Sequence, residues 1–193
     1  MEKKKNLKNT KFLVTTALLA ALSCVATMAI KVPTPTFGYV HLGDGLVLLC
    51  GLILGPVYGS LAAGIGSAMA DLLSGYAIWV PGTFVIKAVT ALLASVVYRS
   101  LKKLFKEQAD FGAVITGGIA GEAFMVLGYF LYNIIVISVT NAAFDSASLA
   151  AAITESAAEI PFNLVQGTAG IVIAAVLIPI LKKIPDIREW LNA

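Results

Sequence analysis

Hydrophobic residues occur along this chain in long runs, and the segments between the runs contain prolines, glycines or charges. An α-helix needs roughly 20 apolar residues to cross about 30 Å of hydrocarbon. The runs predict six membrane-spanning helices, at about residues 11–30, 42–54, 57–74, 83–98, 111–139 and 158–181. Pro33 and Pro35 end the first run, and Gly55-Pro56 separates the second from the third. We therefore expect an all-α membrane protein, with six transmembrane helices in one compact bundle and one integral membrane domain over residues 1–193.

Composition strengthens this interpretation. Hydrophobic residues make up 59% of the chain and charged residues 13%, and the mean hydropathy of +0.89 is far above that of a soluble domain. Cys24 and Cys50 both lie inside predicted spans, so they indicate packing positions and no disulfide framework.

The basic residues predict the orientation in the membrane, because basic flanking segments stay in the cytoplasm. Twelve of the 14 lysines and arginines fall on one side of a six-span layout: Lys3, Lys4, Lys5, Lys8, Lys11, Arg99, Lys102, Lys103, Lys106, Lys182, Lys183 and Arg188. Both termini are therefore expected in the cytoplasm of a multi-pass cell-membrane protein. The formal net charge of +3 reflects this sidedness, and no nucleic-acid partner is expected.

Small residues at four-residue spacing indicate where helices pack closely in lipid. Such rows are Ala62, Gly66 and Ala70; Gly117 and Gly121; and Gly170 and Ala174. For these rows we favour packing within the chain. The row Ala17 and Ala21 in the first helix allows a second interpretation, the docking of a separate membrane subunit.

Asp71 and Lys87 are charges inside predicted spans, where an ionisable side chain is costly unless it is paired or faces water. Because the third and fourth helices form a hairpin, the two side chains fall at a similar depth near the outer surface. An ion pair that closes the hairpin is one explanation. The other is that the pair borders a ligand pocket.

Polar residues on the last two helices favour the pocket. Glu159, Asn163 and Gln166 align on one face of the sixth helix, at spacings of four and three. On the fifth helix, Glu122, Tyr129 and Asn133 lie roughly on one face. The sequence leaves open whether Glu122 is protonated, pairs with Lys87 or bonds to the backbone.

The loop 36–45 contains Tyr39, His41 and a Gly-Asp-Gly sequence, and the next outer loop contains Trp79. Glycines that bend and rings that stack on a flat ligand are typical of a lid over an outer pocket. Asp44 can instead cap the second helix, and Trp79 can belong to the interfacial aromatic belt. A single histidine without a second histidine or cysteine nearby does not indicate a metal site.

Several catalytic motifs are absent from the sequence. It has no G-x-x-x-x-G-K-[ST], G-x-S-x-G or H-E-x-x-H. The polar cluster therefore indicates recognition, and we expect neither an enzyme nor a bound cofactor or metal.

The run "HLGDGLVLLCGLILGPVYGSLAAGIGSAMADLLSGY", followed by "WVPGTFVIKAVTALL", resembles the core of the substrate-binding S components of energy-coupling factor (ECF) transporters, the vitamin importers of prokaryotes. Length, span number and helix order resemble this family over nearly the whole chain. The resemblance implies high-affinity binding of a small water-soluble vitamin or precursor near the outer face, and its delivery inward. It also implies a transmembrane coupling subunit and two cytoplasmic ATPase subunits as partners, with the coupling subunit docking on the row of Ala17 and Ala21.

The candidate pocket residues suit a small, flat, hydroxylated or amino heterocycle. They are Asp71, Lys87, Glu159, Asn163, Gln166, His41, Tyr39, Trp79, Glu122 and Asn133. Pyridoxine or hydroxymethylpyrimidine is the first expectation, and riboflavin is the next. The alternative function is a self-sufficient proton-coupled secondary transporter with Glu122 or Asp71 as its proton site, although such a transporter would normally show two related halves.

Overall fold

The computed structural model describes residues 2–34, 39–105, 110–142 and 144–192, and this part of the chain is mostly helical. In chain order the elements are α1 (Glu2–Ala29), β1 (Lys31–Pro33), β2 (Tyr39–His41), α2 (Asp44–Leu73), α3 (Val80–Phe105), α4 (Asp110–Thr140), α5 (Ser146–Ala158), α6 (Ile160–Leu181) and α7 (Pro185–Asn192). Five segments among the described residues are long and apolar enough to cross a membrane: Asn9–Ala29, Asp44–Leu73, Val80–Leu104, Asp110–Thr140 and Ser146–Leu181.

The segment α2 is two helical pieces that fold back on each other at Gly55. Gly55 has φ of 84° and ψ of −178°, a backbone conformation that glycine adopts without steric cost, and Pro56 follows it. A methyl group added to Gly59 would lie 2.4 Å from the carbonyl oxygen of Cys50. In a straight helix these two residues would be about 13 Å apart along the axis. The predicted turn between residues 54 and 57 is therefore present, and both of its arms belong to the core.

Close helix packing around α2 follows the rows of small residues. A methyl group on Gly66 would lie 2.3 Å from the backbone oxygen of Ala20 on α1. Methyl groups on Gly117 and Gly121 of α4 would each lie 2.7 Å from a backbone oxygen of α3. These rows pack helices within the chain, as the sequence predicted. In contrast, Ala17 and Ala21 lie on the exposed face of α1.

The connections differ from the sequence prediction in two places. Residues 140–157 were predicted as a loop, but most of them form α5, because Asp145 caps the helix by accepting from the backbone N–H groups of Ala147 and Ser148, both at 3.0 Å. These hydrogen bonds hold the pKa of Asp145 below its usual value, and the bond from the backbone N–H of Ser148 has the largest effect. The region before α2 contains a short antiparallel pair, with Val32 opposite Val40, which no sequence pattern indicated.

Candidate functional site

One cavity opens where the β1–β2 pair, the end of α2, the starts of α3 and α6, and the last turns of α4 meet. It holds about 490 Å³ of empty space, counting the part that opens to solvent. The lining residues are Thr34, Tyr39, His41, Asp71, Trp79, Thr83, Tyr129, Asn133, Glu159, Asn163 and Gln166. A concave site lined by aromatic rings and a few polar side chains is a candidate small-molecule site.

Aromatic rings form one wall of this cavity. The Trp79 ring lies 6.3 Å from the Tyr129 ring, and the Tyr39 ring lies 5.6 Å from the imidazole of His41. The Tyr129 hydroxyl bonds to Thr83 Oγ1 at 3.2 Å. Rings held at these distances provide flat apolar surfaces on which a heterocycle can stack.

Asp71 is held at the cavity by Tyr39. The Tyr39 hydroxyl donates to Asp71 Oδ1 at 2.6 Å, across a sequence separation of 32 residues. Burial, and then the charge of Asp71, raise the pKa of Tyr39 above its usual value, so the phenol remains a donor at physiological pH. Asp71 and Glu159 both line the cavity, so the lining has an acidic character. Among the described lining residues there is no lysine or arginine.

His41 presents a neutral ring to the cavity. Burial lowers the pKa of this imidazole to about 3. Its Nδ1 accepts from the backbone N–H of Gly43 at 3.0 Å, which places the ring proton on Nε2. The ring therefore offers a hydrogen-bond donor and no charge.

Lys87 does not pair with Asp71, which corrects the ion pair considered from the sequence. Its ammonium group forms a salt bridge with Asp44 instead, and both side chains are 0% exposed. Asp44 makes no capping bond at the start of α2, because its second oxygen accepts from Gln166 Nε2 at 2.8 Å. The Gln166 Oε1 in turn accepts from the backbone N–H of His41 at 2.8 Å. We call Asp44, Lys87 and Gln166 the inner network.

The inner network lies behind the cavity and positions its wall. Gln166 is the member that lines the cavity, and both ends of its amide are already bonded within the protein. Lys87 also lies 5.1 Å from the centre of the Tyr129 ring, which is part of the aromatic wall. The network thus fixes β2 and Tyr129 relative to α2, α3 and α6.

Eight of the ten residues predicted from the sequence line the cavity: Tyr39, His41, Asp71, Trp79, Asn133, Glu159, Asn163 and Gln166. Lys87 and Glu122 do not. Glu122 is 4% exposed, and its two oxygens accept no hydrogen bond from the described residues. It packs against α6, where a methyl group on Gly167 would lie 3.1 Å from Oε2.

Sequence reasoning missed two lining residues, Thr34 and Thr83, and it placed Tyr129 on the polar face of the fifth helix without including it among the candidate pocket residues. Helical spacing was available for Thr83, which follows Trp79 by four residues. No pattern singles out Thr34. Residues 36–38 of the loop considered as a lid lie outside the described residues. No group of three or more possible metal-ligating side chains occurs in the described part of the chain.

Comparison with known proteins decides the family. A family model described as the S component of the ECF-type riboflavin transporter matches residues 7–183. The chain belongs to this S component family. The match confirms the resemblance to ECF S components that the sequence indicated. S components are the substrate-binding subunits of vitamin transporters and are not a class of enzyme. They associate with membrane and ATPase modules.

Individual relatives agree with this assignment. The S component is 31% identical over 160 residues to a protein of Pyrococcus woesei described as an uncharacterized protein in a gap 3′ region, covering 82% of this chain and 93% of the relative. Two solved structures share the fold. The S component of a bacterial ECF transporter gives a TM-score of 0.65 at 20% identity, over 91% of this chain and 97% of the other. The S component for biotin from an ECF-type ABC transporter gives 0.64 at 19% identity, over 96% and 98%.

Proposed function

We propose that this S component binds an uncharged, flat, hydroxylated or amino heterocyclic vitamin in the cavity beside Asp71, and delivers it inward. The observation that carries the proposal is the combination of aromatic rings with two carboxylates, in a lining whose described residues include no lysine or arginine. A carboxylate accepts hydrogen bonds from hydroxyl, imide or amino groups, and such charge-assisted bonds are strong. It repels the carboxylate of an anionic vitamin, so biotin suits this lining poorly.

Three vitamins or precursors meet these requirements: riboflavin, pyridoxine and hydroxymethylpyrimidine. We rank riboflavin first, because the description of the matching family names a riboflavin transporter. The sequence alone had ranked it after pyridoxine and hydroxymethylpyrimidine. The riboflavin ring system is flat enough to stack on the aromatic wall of the cavity, and its polar groups can bond to Asp71, Asn163 and the Nε2–H of His41.

The topology belongs to the same proposal. We infer six membrane crossings in one integral membrane domain over residues 1–193, with both termini in the cytoplasm. The fold-back at Gly55 supports two crossings within α2, and the distribution of lysines and arginines supports the orientation. The cavity then faces outward, because it lies at the opposite end of the bundle from Arg99, Lys102 and Lys182.

Transport requires partners in this proposal. A transmembrane coupling subunit docks on the exposed row of Ala17 and Ala21, and two cytoplasmic ATPase subunits supply the energy. Replacing Ala17 with leucine fills the row, so we expect lower vitamin uptake by the assembled transporter and unchanged vitamin binding by the chain alone. Val176→Leu, an exposed position on α6, is the control variant. Equal uptake by both variants would contradict docking at this row.

Ligand identity is tested by calorimetric titration of the purified chain, without other subunits, ATP or an ion gradient. Riboflavin, pyridoxine, hydroxymethylpyrimidine and biotin are titrated separately. We expect one of the first three to bind with a submicromolar Kd and biotin not to bind. Tighter binding of biotin, or proton-coupled uptake by the isolated chain in vesicles, would overturn the proposal.

A further inference from the structure

A second cavity lies at the other end of the bundle from the vitamin site. The end of α3, the start of α4, the residue after α6 and α7 surround it. It is lined by Lys102, Asp110, Lys182, Arg188 and Asn192, and it holds about 600 Å³ of empty space, counting the part that opens to solvent. None of these residues contributes to vitamin binding, and none belongs to the inner network.

The lining of this cavity is basic. Three cationic side chains surround one carboxylate, that of Asp110, which leaves an excess of two formal positive charges. Asp110 accepts from the hydroxyl of Tyr98 at 3.0 Å and lies 3.6 Å from the ammonium group of Lys102. Lys182 forms a salt bridge with the same carboxylate. Asp110 thus gathers both lysines at one place, and their charge exceeds its own.

Helix α7 completes the cavity in a fixed position. Leu191 is buried in the core, and the ring of Trp190 lies 5.2 Å from that of Phe12 on α1. The ammonium group of Lys102 donates to the backbone oxygen of Leu191 at 3.3 Å. These contacts place Arg188 at the rim of the cavity. The family match ends at residue 183, so the part of the lining that α7 supplies lies outside the region that defines the family.

Exposed apolar side chains lie close in sequence to the lining residues. Leu104 is 72% exposed, Phe111 62% and Ile184 46%, and each lies within two residues of a lining residue. A basic cavity beside apolar surface matches a phospholipid, whose phosphate needs cations and whose acyl chains need hydrocarbon contact. A free phosphate ion would use the cations alone.

We propose that this cavity binds the phosphate of an anionic phospholipid headgroup, held by Arg188, Lys182 and Lys102. Arg188 is suited to contact two phosphate oxygens at once, and the lysines act as point charges. The site anchors α7 and the ends of α3, α4 and α6 to one leaflet of the membrane. It is independent of which vitamin binds at the other end.

The test uses the full chain in phosphatidylcholine nanodiscs, with and without a minor fraction of phosphatidylglycerol. Native mass spectrometry of protein released from the discs counts the retained phosphatidylglycerol. We expect one retained molecule on the unaltered chain, at least a tenfold weaker retention for Arg188→Gln, and partial rescue by Arg188→Lys, since one charge-assisted contact is worth about that factor. Lys183→Gln is the matched control, because Lys183 is an exposed neighbour outside the lining.

Two results would overturn the proposal. Equal loss of phosphatidylglycerol from Arg188→Gln and Lys183→Gln would show diffuse attraction to a basic surface. Displacement of the lipid by millimolar inorganic phosphate, with the same dependence on Arg188, would assign the cavity to a soluble phosphate.

Discussion

Lys87→Met is expected to destabilise the folded chain strongly, because it leaves the carboxylate of Asp44 buried without a counter-charge. Both partners are fully buried, and Gln166 is the other hydrogen-bond donor to Asp44 among the described residues. Breaking one side of such a pair costs about 3–5 kcal/mol. For a chain of this length, that corresponds to a Tm lower by roughly 6–20 °C. From the sequence, where Lys87 was a candidate pocket residue, Lys87→Met would instead be expected to weaken vitamin binding and leave folding intact.

Thermal unfolding of purified variants in detergent, followed by tryptophan fluorescence, measures the effect. The double variant Lys87→Met with Asp44→Asn contains no buried charge in the inner network and keeps an acceptor for Gln166. It should therefore recover most of the lost stability, with a coupling of about 3 kcal/mol between the two sites. Lys11→Met is the control: its salt bridge with Asp186 is exposed, so its loss should cost at most about 1 kcal/mol.

A Tm of Lys87→Met equal to that of the Lys11→Met control would contradict this prediction. A double variant less stable than the Lys87→Met single variant would also refute it, because removing the orphaned charge must then cost more than leaving it.

Three further predictions concern single positions. Gly51→Ala should destabilise the fold by more than about 2 kcal/mol, since the added methyl group would lie 2.3 Å from the backbone oxygen of Ala91. Gly112→Ala has open space around it and should be neutral or stabilising by up to about 1 kcal/mol. Equal melting temperatures of the two variants would contradict this prediction. Burial in the folded chain lowers the pKa of His41 from 6.5 to about 3, so between these pH values the unfolded chain binds a proton that the folded chain does not. The free energy of unfolding should therefore decrease as the pH falls from about 6.5 to about 3, by up to about 1.4 kcal/mol per pH unit. His41→Gln should flatten that slope, and an unchanged slope would speak against burial of the imidazole. Glu122→Gln should keep or raise the Tm, because neither oxygen of the Glu122 side chain has a hydrogen-bond partner among the described residues. A loss above about 2 kcal/mol would indicate an ion pair with Lys87.

Hydropathy was sufficient to predict the long apolar helices, because lipid requires every backbone group in a span to be bonded within its own helix. The turn at Gly55 could also be located from the sequence, because a glycine followed by a proline interrupts a helix. In contrast, α5 was missed because its serines, Thr154 and Glu155 lower the hydropathy of this stretch below that of a span. A helix signal was nevertheless present, since alanines favour a helix and Asp145 is a good N-cap residue.

The site could be predicted where helical spacing decides which residues share a face. Glu159, Asn163 and Gln166 were found in this way, and they line one cavity. The pairing of charges could not be predicted, because it depends on the relative depth of α2 and α3. Asp44 and Asp71 are both within reach of α3 by sequence, and the structure places Lys87 against Asp44.

The most direct test of this account compares the affinity of two variants for the vitamin that binds the unaltered chain. Asp71→Asn removes the charge from the cavity, whereas Asp145→Asn changes an exposed helix cap to another residue that caps well. Calorimetry should show a Kd at least tenfold higher for Asp71→Asn, since a hydrogen bond to a charged group contributes about 1.5–3 kcal/mol, and an unchanged Kd for Asp145→Asn. Equal affinities of Asp71→Asn and the unaltered chain would contradict the placement of the vitamin in this cavity.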